Sequence, residues 1–449
     1  MILPEALLRS LEVVPGYNRL HFEEVHNIPV PVTSIRLNPH KPFPFPEHWQ
    51  TSTIPWCEEG RYLATRPSFT QDPFLHAGAY YVQEASSMFI RKVLSHLFSQ
   101  NDPIHIADIC AAPGGKSTLL ASYFQHALLV SNEVIKTRTP ILNENMVKWG
   151  APNTIVTQND PSQFKQLPGF FDLMLVDAPC SGSGLFRKDP AALDEWSEEQ
   201  VLVCSRRQQR ILADVLPALR EGGILLYATC SYSTSENETI TQWLRDEMDM
   251  ECVTIPIDKS WGIVTSSMPG TFRFFPQLLK GEGFYLSVLR KKTAMKDEYL
   301  REVALVTPDK SISKLFTEKF QLADHTTLFK QGNQVRSISS HYRKAIQQLT
   351  GVLYIKRAGV ELGEIKGKDL IPSHEWALQQ GEKKGWPIVA LSLSEALAYL
   401  GRQPLEFSAE GGWNLVSYQG CVLGWVKMIQ NRINNYYPTQ WRILKVASH

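Results

Sequence analysis

Five apolar segments alternate with amphipathic stretches between residues 104 and 230, and that alternation limits the fold more than anything else in the chain. The segments are IHIADIC (104–110), ALLVSNE (127–133), NTIVTQND (153–160), LMLVDAP (173–179) and GILLYATC (223–230). The stretches between them read as helices from Lys116, from Thr137, and from Ser197 to Arg220. The last opens on Ser197 with Gln200 three residues on, an N-cap pattern, and stops before Gly222-Gly223. Near-continuous apolar strands separated by helices predict a parallel sheet covered on both faces. Upstream, HAGAYYVQEASSMFIRKVL turns and then runs helically from Ala85 to Leu97. Downstream, ECVTIP, TFRFFP and GFYLSVLRK read as antiparallel strands that close this domain near Lys292.

The flanks differ in texture. Residues 1–75 carry a short amphipathic helix, roughly Pro4 to Val13, followed by mixed segments rich in proline and aromatics, which predicts a small α+β domain. Residues 293–350 are charged and poor in glycine and read as a helical connector. Residues 351–449 are short strands with glycine turns around a helix at 393–401. A formal charge of +1 conceals a basic end: residues 295–449 hold 20 Lys and Arg against 14 Asp and Glu. That excess suits a polyanion as well as an ordinary solvated surface. The seven cysteines are scattered, with no CxxC spacing, which argues against a disulfide framework and against a zinc site. No apolar span is long enough for a membrane, and Met1-Ile2-Leu3-Pro4-Glu5 lacks the pattern of a signal peptide, so the expected compartment is the cytoplasm.

In an open parallel sheet, ligands sit outside the carboxyl ends of the strands. Those ends carry Asp108-Ile109-Cys110-Ala111-Ala112-Pro113-Gly114-Gly115-Lys116, then Glu133, Asp160, Asp177 with Cys180, and Cys230. Gly115-Lys116-Ser117 with Asp177 resembles the phosphate loop and metal-binding acid of an NTPase, but that loop needs a glycine where Cys110 stands. A small-residue loop with an acid at the second strand end suits a ribose, and Asp160 is placed for an adenine. Together these favour S-adenosylmethionine over ATP. No metal site is expected.

Cys180 and Cys230 follow the fourth and fifth strands, which neighbour each other in the usual doubly wound order. A thiolate adding to carbon 6 of a pyrimidine makes carbon 5 nucleophilic enough to accept a methyl group. A second group must then take the carbon 5 proton. Asp177 is suited to hydrogen-bond the ring edge. Chemistry alone leaves open which cysteine attacks.

The motifs DICAAPGGKST, SNE, QND, VDAPCSGSGLFRKDP and ATCSYSTSENE, with YYVQEASSM and RFFPQLLKGEGFY, resemble the Sun/Nop-type RNA cytosine-C5 methyltransferases over residues 76–292. The resemblance implies a Rossmann-like class I S-adenosylmethionine-dependent methyltransferase core. It implies Cys230 as nucleophile and Cys180 as the thiol that assists proton removal and release. It further implies cofactor contacts from Cys110, Ala111, Ala112, Pro113, Gly114, Gly115, Lys116, Glu133, Asp160 and Asp177, with Arg138 counted in the same group. GCVLGWVK and NRINNYYPTQWRI resemble the PUA-like RNA-binding end of bacterial RsmF-type enzymes, which act on small-subunit ribosomal RNA. On that reading the domains are 1–75 (RNA-binding), 76–292 (catalytic), 293–350 (connector) and 351–449 (PUA-like, RNA-binding). Tyr436, Tyr437 and Trp441 beside Arg432 and Arg442 are then RNA-facing candidates, as are Arg206, Arg207 and Arg210. The expected partner is ribosomal RNA or the small subunit, with no membrane, and the expected state is a monomer. The rival functions are an NTPase acting on RNA and a non-catalytic RNA-binding assembly factor.

Overall fold

The five apolar segments fold as parallel neighbours. In chain order the central sheet contains β1 His105–Asp108, β2 Leu128–Asn132, β3 Thr154–Thr157, β4 Phe171–Asp177 and β5 Leu219–Thr229. It continues with β6 Met250–Cys252, β7 Val264–Thr265, β8 Thr271–Phe274, β9 Phe284–Lys291 and β10 Ile355–Ala358. The computed structural model describes residues 1–28, 32–46, 48–266, 268–293, 300–430 and 432–444. Among these, the sheet order is β7-β8-β9-β5-β4-β1-β2-β3-β10, with β6 also on β9. β1 pairs in parallel with both β2 and β4, so the strand order reverses there and a crevice opens at the carboxyl ends.

Side chains alternate across the sheet as the pleat requires. Leu173 and Leu175 of β4 pack with Val93, Leu119 and Leu120 on one face. Met174 and Val176 pack with Ile211, Leu212 and Ile240 on the other. Fully burying each such side chain stabilises the fold by about 1.5–3 kcal/mol, so a one-residue slip of β4 would reverse four of these contacts. Among the described residues no helix is long and apolar enough to cross a membrane.

Several boundaries differ from the sequence reading. The helix expected over 197–220 ends at Val215; a short turn, Leu216–Ala218, follows and β5 begins at Leu219. Pro217 lacks the N–H that a continuing helix needs, and Gly222-Gly223 sits inside the strand instead of capping the helix. The expected helical connector is mixed. Helices Lys310–Phe320 and Arg343–Thr350 flank a hairpin of Thr326–Gln331 with Gln334–Ser339. Gly332, at φ +62°, supplies the left-handed turn that the hairpin requires. Residues 294–299, at the head of that connector, and Asn431, at the head of NRINNYYPTQWRI, lie outside the described residues.

The hairpin shares a sheet with Val360–Lys366 and Asp369–Pro372, and so straddles the expected boundary at 350. Likewise the N-terminal sheet of Thr33–Leu37, Thr51–Ile54 and Cys57–Leu63 recruits Tyr80–Val82 from beyond residue 75. The last sheet comprises Ile388–Leu391, Gly412–Tyr418, Cys421–Ile429 and Arg432–Asn435.

β10 joins this C-terminal region to the catalytic sheet. It runs antiparallel on β3, and Arg357 Nη1 donates to Thr154 Oγ1 at 2.7 Å. Glu375 then receives Arg357 at 2.7 Å and Arg336 at 3.0 Å, with all three side chains at most 9% exposed. Burial alone would raise the Glu375 pKa, but the two guanidiniums hold it below the ordinary value. Among the described residues, removing the shared carboxylate leaves buried Arg357 without an ion-pair partner and Arg336 with only Glu361 at 3.3 Å. Glu375→Ala is therefore expected to cost about 3–5 kcal/mol in denaturant unfolding, and a loss below about 1 kcal/mol would contradict this role.

Candidate active site

The parallel pairing of β4 with β5 sets Asp177 opposite Ala228, so the two strands end level. Cys180 and Cys230 leave those ends together, with Sγ atoms 3.1 Å apart, and both are free thiols. A hydrogen bond to Cys230 and burial push the Cys180 thiol well above its ordinary pKa, so Cys180 holds its proton.

The two thiol loops are stitched together by one buried acid. Glu236 accepts from Ser181 N–H at 2.8 Å and from the Ser181 and Ser231 hydroxyls at 2.5 Å each. Gln208, from the helix Glu198–Val215, bridges Glu236 Oε1 at 3.2 Å and Pro179 O at 3.1 Å. Asn237 receives Thr229 Oγ1 at 2.6 Å and donates to Ser231 O at 2.8 Å, fixing the turn around Cys230. Gly184 closes the contact: its N–H donates to Cys230 O at 2.8 Å, and a Cβ there would lie 2.6 Å from that oxygen.

Lys116 crosses from the first strand-end loop to Asp177, Nζ to Oδ2 at 2.7 Å. Burial pulls the Lys116 pKa down, but Asp177 outweighs it and the group stays protonated. Cys230 also interacts electrostatically with this ammonium. Lys116 thus faces the thiol crevice, not back into its own loop as a phosphate-binding lysine would.

On the other side of β1 lies a cradle for a small polar ligand. Gly114 takes φ +114°, and Cys110 through Pro113 wrap past the end of β1. Arg138 donates to Ala112 O, and Asn145 Nδ2 to Pro113 O at 2.8 Å. Glu133 is buried; Oε1 accepts Ile135 N–H at 2.9 Å, while Oε2 has no hydrogen bond and only Arg138 at 3.4 Å. Asp108 is fully buried, accepts from Ser117 Oγ at 2.6 Å through Oδ2 and leaves Oδ1 unpartnered. Burial pushes its pKa up to about 7. Two carboxylate oxygens without a hydrogen bond, beside a glycine-lined loop, fit a ligand bearing hydroxyls and an amine. Burial and the charges of Asp108, Asp177 and Glu133 raise the Cys110 thiol, which belongs to this wall. Asp160 is exposed and caps the turn Pro161–Gln166, accepting Ser162 N–H at 3.0 Å and Ser162 Oγ at 2.7 Å. The Ser162 hydrogen bonds lower its pKa.

Not every candidate lies in a site. Tyr437 is 1% exposed, with its hydroxyl 3.2 Å from His76 Nδ1, so it packs inside the protein instead of facing RNA. Trp441 packs on His374 and lies under the Lys148 ammonium of the catalytic domain, a junction role. Tyr436 is 38% exposed, against Trp413, and Arg432, Arg442, Arg206, Arg207 and Arg210 are exposed. Sequence reasoning missed Glu236, Gln208, Asn237 and Asn132. The first and third lie in the quoted ATCSYSTSENE, but no spacing rule shows that an acid six residues after a thiol folds back beneath it.

Residues 95–290 match the family model for 16S rRNA methyltransferase RsmB/F, residues 3–85 the N-terminal domain of 16S rRNA methyltransferase RsmF, and residues 377–443 the methyltransferase RsmF PUA domain. Ribosomal RNA small subunit methyltransferase F of Psychromonas ingrahamii is 30% identical over 87% of this chain and 85% of its own. A methyltransferase homolog from Pyrococcus horikoshii superposes with TM-score 0.51 at 27% identity, over 64% of this chain and all of that one. NSun6 from the same organism, solved with SFG, has TM-score 0.55 at 19% identity over 65% and 98% of the two chains, a likeness of fold.

The fold and site define a Rossmann-like class I methyltransferase with S-adenosylmethionine as its cofactor. The chain belongs to the ribosomal RNA small subunit methyltransferase F family.

The geometry of the thiol pair is directly testable. A trivalent arsenical such as phenylarsine oxide is expected to bridge Cys180 and Cys230, seen as a mass increment that both single alanine variants lose. Glu236→Ala should cost about 2–4 kcal/mol of stability, because it leaves several buried donors unpaired, and should weaken the bridging. Bridging in Glu236→Ala equal to that of the unaltered protein would remove the stitching role.

Proposed function

We propose that this protein methylates carbon 5 of cytosine in small-subunit ribosomal RNA through a transient bond between Cys230 Sγ and carbon 6 of the base. The observation that carries the reading is the pair of free thiols 3.1 Å apart beside the Lys116–Asp177 ion pair. One thiol alone suits a buried small hydrophobe. Two at the mouth of one crevice, next to a fixed cation and acid, suit covalent chemistry.

The roles divide by environment. In the resting site Cys180 keeps its proton, its pKa raised by the hydrogen bond to Cys230 and by burial, which supports Cys230 as the attacking sulfur. Cys230 gives its proton to solvent as it attacks, on the crevice that the Lys116–Asp177 ion pair borders. Asp177, oriented by Lys116, accepts from the exocyclic amine edge of the ring and favours a proton on the ring nitrogen, which makes carbon 6 electrophilic. As the C6–S bond forms, the electrons of the 5,6 double bond move to carbon 5. When bound, S-adenosylmethionine supplies an electrophilic methyl group at that position. The residues that would hold it are Cys110 through Lys116 with Glu133, Arg138 and Asp160, and Glu133 Oε2, which has no hydrogen bond, would accept from the ribose. In the methylated adduct the Cys180 thiol gives its own proton to solvent and the resulting thiolate takes the carbon 5 proton; the C5–H electrons restore the double bond and the C6–S electrons return to Cys230.

A stacked base does not reach a crevice at the strand ends, so the target cytosine leaves its stack or lies in a single strand. The PUA domain match at 377–443 and the exposed Arg206, Arg207 and Arg210 support contacts to the RNA backbone.

The test uses labelled methyl donor with naked ribosomal RNA and with stripped small subunits, followed by mapping of 5-methylcytosine. The unaltered protein is expected to label one or both, and Cys230→Ala neither. Cys180→Ala is expected to accumulate a denaturant-stable protein–RNA adduct that the double variant lacks. Labelling that survives in Cys230→Ala, or that falls on another base, would overturn the proposal.

A further inference from the structure

The loop Gln158-Asn159-Asp160 follows β3, and the segment that meets it comes from nearly two hundred residues later in the chain. Gln158 N–H and Asn159 Nδ2 both donate to Tyr354 O, each at 3.2 Å, and Tyr354 N–H donates to Asn159 Oδ1 at 2.9 Å. β10 pairs Ile355 with Thr157, so these bonds continue the β3–β10 ladder one rung past its end, with a side-chain amide standing in for a peptide.

The inner side of the loop is tied just as firmly. Asn132 is fully buried. Its Oδ1 accepts Asn159 N–H at 3.0 Å and Thr157 Oγ1 at 2.9 Å. Its Nδ2 donates to Asn159 O at 3.0 Å and Ile109 O at 3.2 Å. Asn132 precedes Glu133, Ile109 precedes Cys110, and Asn159 precedes Asp160. Three strand-end loops that carry cofactor candidates thus form one hydrogen-bonded piece, anchored on its outside by Tyr354.

We propose that the segment Leu353–Ala358, outside the 95–290 family match, is the outer wall of the cofactor site, and that Asn159 is a positioning residue that holds Asp160 through its bonds to Tyr354. The proposal rests on Asp160 being a cofactor contact. The bonds use the backbone of Tyr354, a residue 60% exposed, so the side chain at 354 is replaceable while the amide at 159 is not. An aspartate at 159 keeps the acceptor for Tyr354 N–H but turns a carboxylate oxygen toward Tyr354 O.

The experiment compares full-length Asn159→Ala, Asn159→Asp, Tyr354→Ala and Asp160→Ala. Two measurements are made: binding of S-adenosylhomocysteine by calorimetry, and steady-state kinetics with each substrate varied. Loss of two net hydrogen bonds predicts that Asn159→Ala raises the dissociation constant and the donor KM about tenfold, with kcat and the RNA KM within about twofold. Asn159→Asp is expected to lie between, at about threefold, and replaces the alanine variant should that one fail to fold. Tyr354→Ala is expected to bind as the unaltered protein does. If Asp160→Ala weakens binding while both Asn159 variants bind normally, the proposal is overturned and the cofactor reading stands. If Asp160→Ala binds normally, the reading of Asp160 fails and the proposal falls with it. A fall in kcat with donor KM unchanged in both Asn159 variants would also overturn it.

Discussion

Everything chemical in this protein depends on β4 and β5 running side by side in register. Asp177 opposite Ala228 brings two chain exits to one point, and only there do thiols fifty residues apart in sequence come within 3.1 Å. Registry in a sheet buried on both faces is enforced by packing, because a slip would turn Leu173 and Leu175 into the layer that holds Met174 and Val176. The reaction site is therefore a by-product of core packing, and its precision comes from leucines that never touch a ligand.

Packing aligns the strands but does not hold the loops beyond them. That task falls to buried polar groups with almost no slack. Glu236 takes donors from both thiol loops and from the helix behind them. Asn132 does the same for the cofactor loops. In a low-dielectric interior such networks are stable only when nearly every member is satisfied, which makes them rigid. The exceptions are informative: Asp108 Oδ1 and Glu133 Oε2 have no hydrogen bond, although Arg138 lies 3.4 Å from the latter, and both belong to the proposed cofactor cradle.

Much of this was legible in the sequence, for a physical reason. Periodicity records which faces are buried, so the five strands and their neighbours could be read directly, and strand ends in a parallel sheet are where ligands sit. Cys180, Cys230, Asp177 and Glu133 were singled out that way, and the structure brings the two thiols together and pairs Asp177 with Lys116. What could not be read are contacts between segments with no periodic relation. The Lys116–Asp177 pair spans 61 residues, and the Tyr354–Asn159 bonds span 195. Tyr437 failed for the opposite reason: an aromatic among arginines looks like an RNA contact, but burial against His76 depends on a domain junction that composition does not encode. The hairpin inside the expected helical connector was lost because Thr326–Ser339 is short and mostly polar, and Gly332 was its main turn signal.

The flanking domains also divide the site between them. On the thiol side, Leu7, Leu8, Leu11 and Phe22 of the N-terminal helices pack against Phe186, Tyr232 and Phe275. Phe186 lies six residues beyond Cys180 and Tyr232 two beyond Cys230, so that apolar contact supports the same loops that Glu236 joins. On the cofactor side, the support is polar and comes from the C-terminal region, through β10 and the Arg357–Glu375–Arg336 cluster. Each half of the site thus has its own external brace. Apolar contact tolerates small shifts, whereas a buried ion network has one arrangement. On the proposed function the thiol half admits and releases a polymer, and it has the more forgiving brace, whereas the proposed cofactor half has the stiffer one.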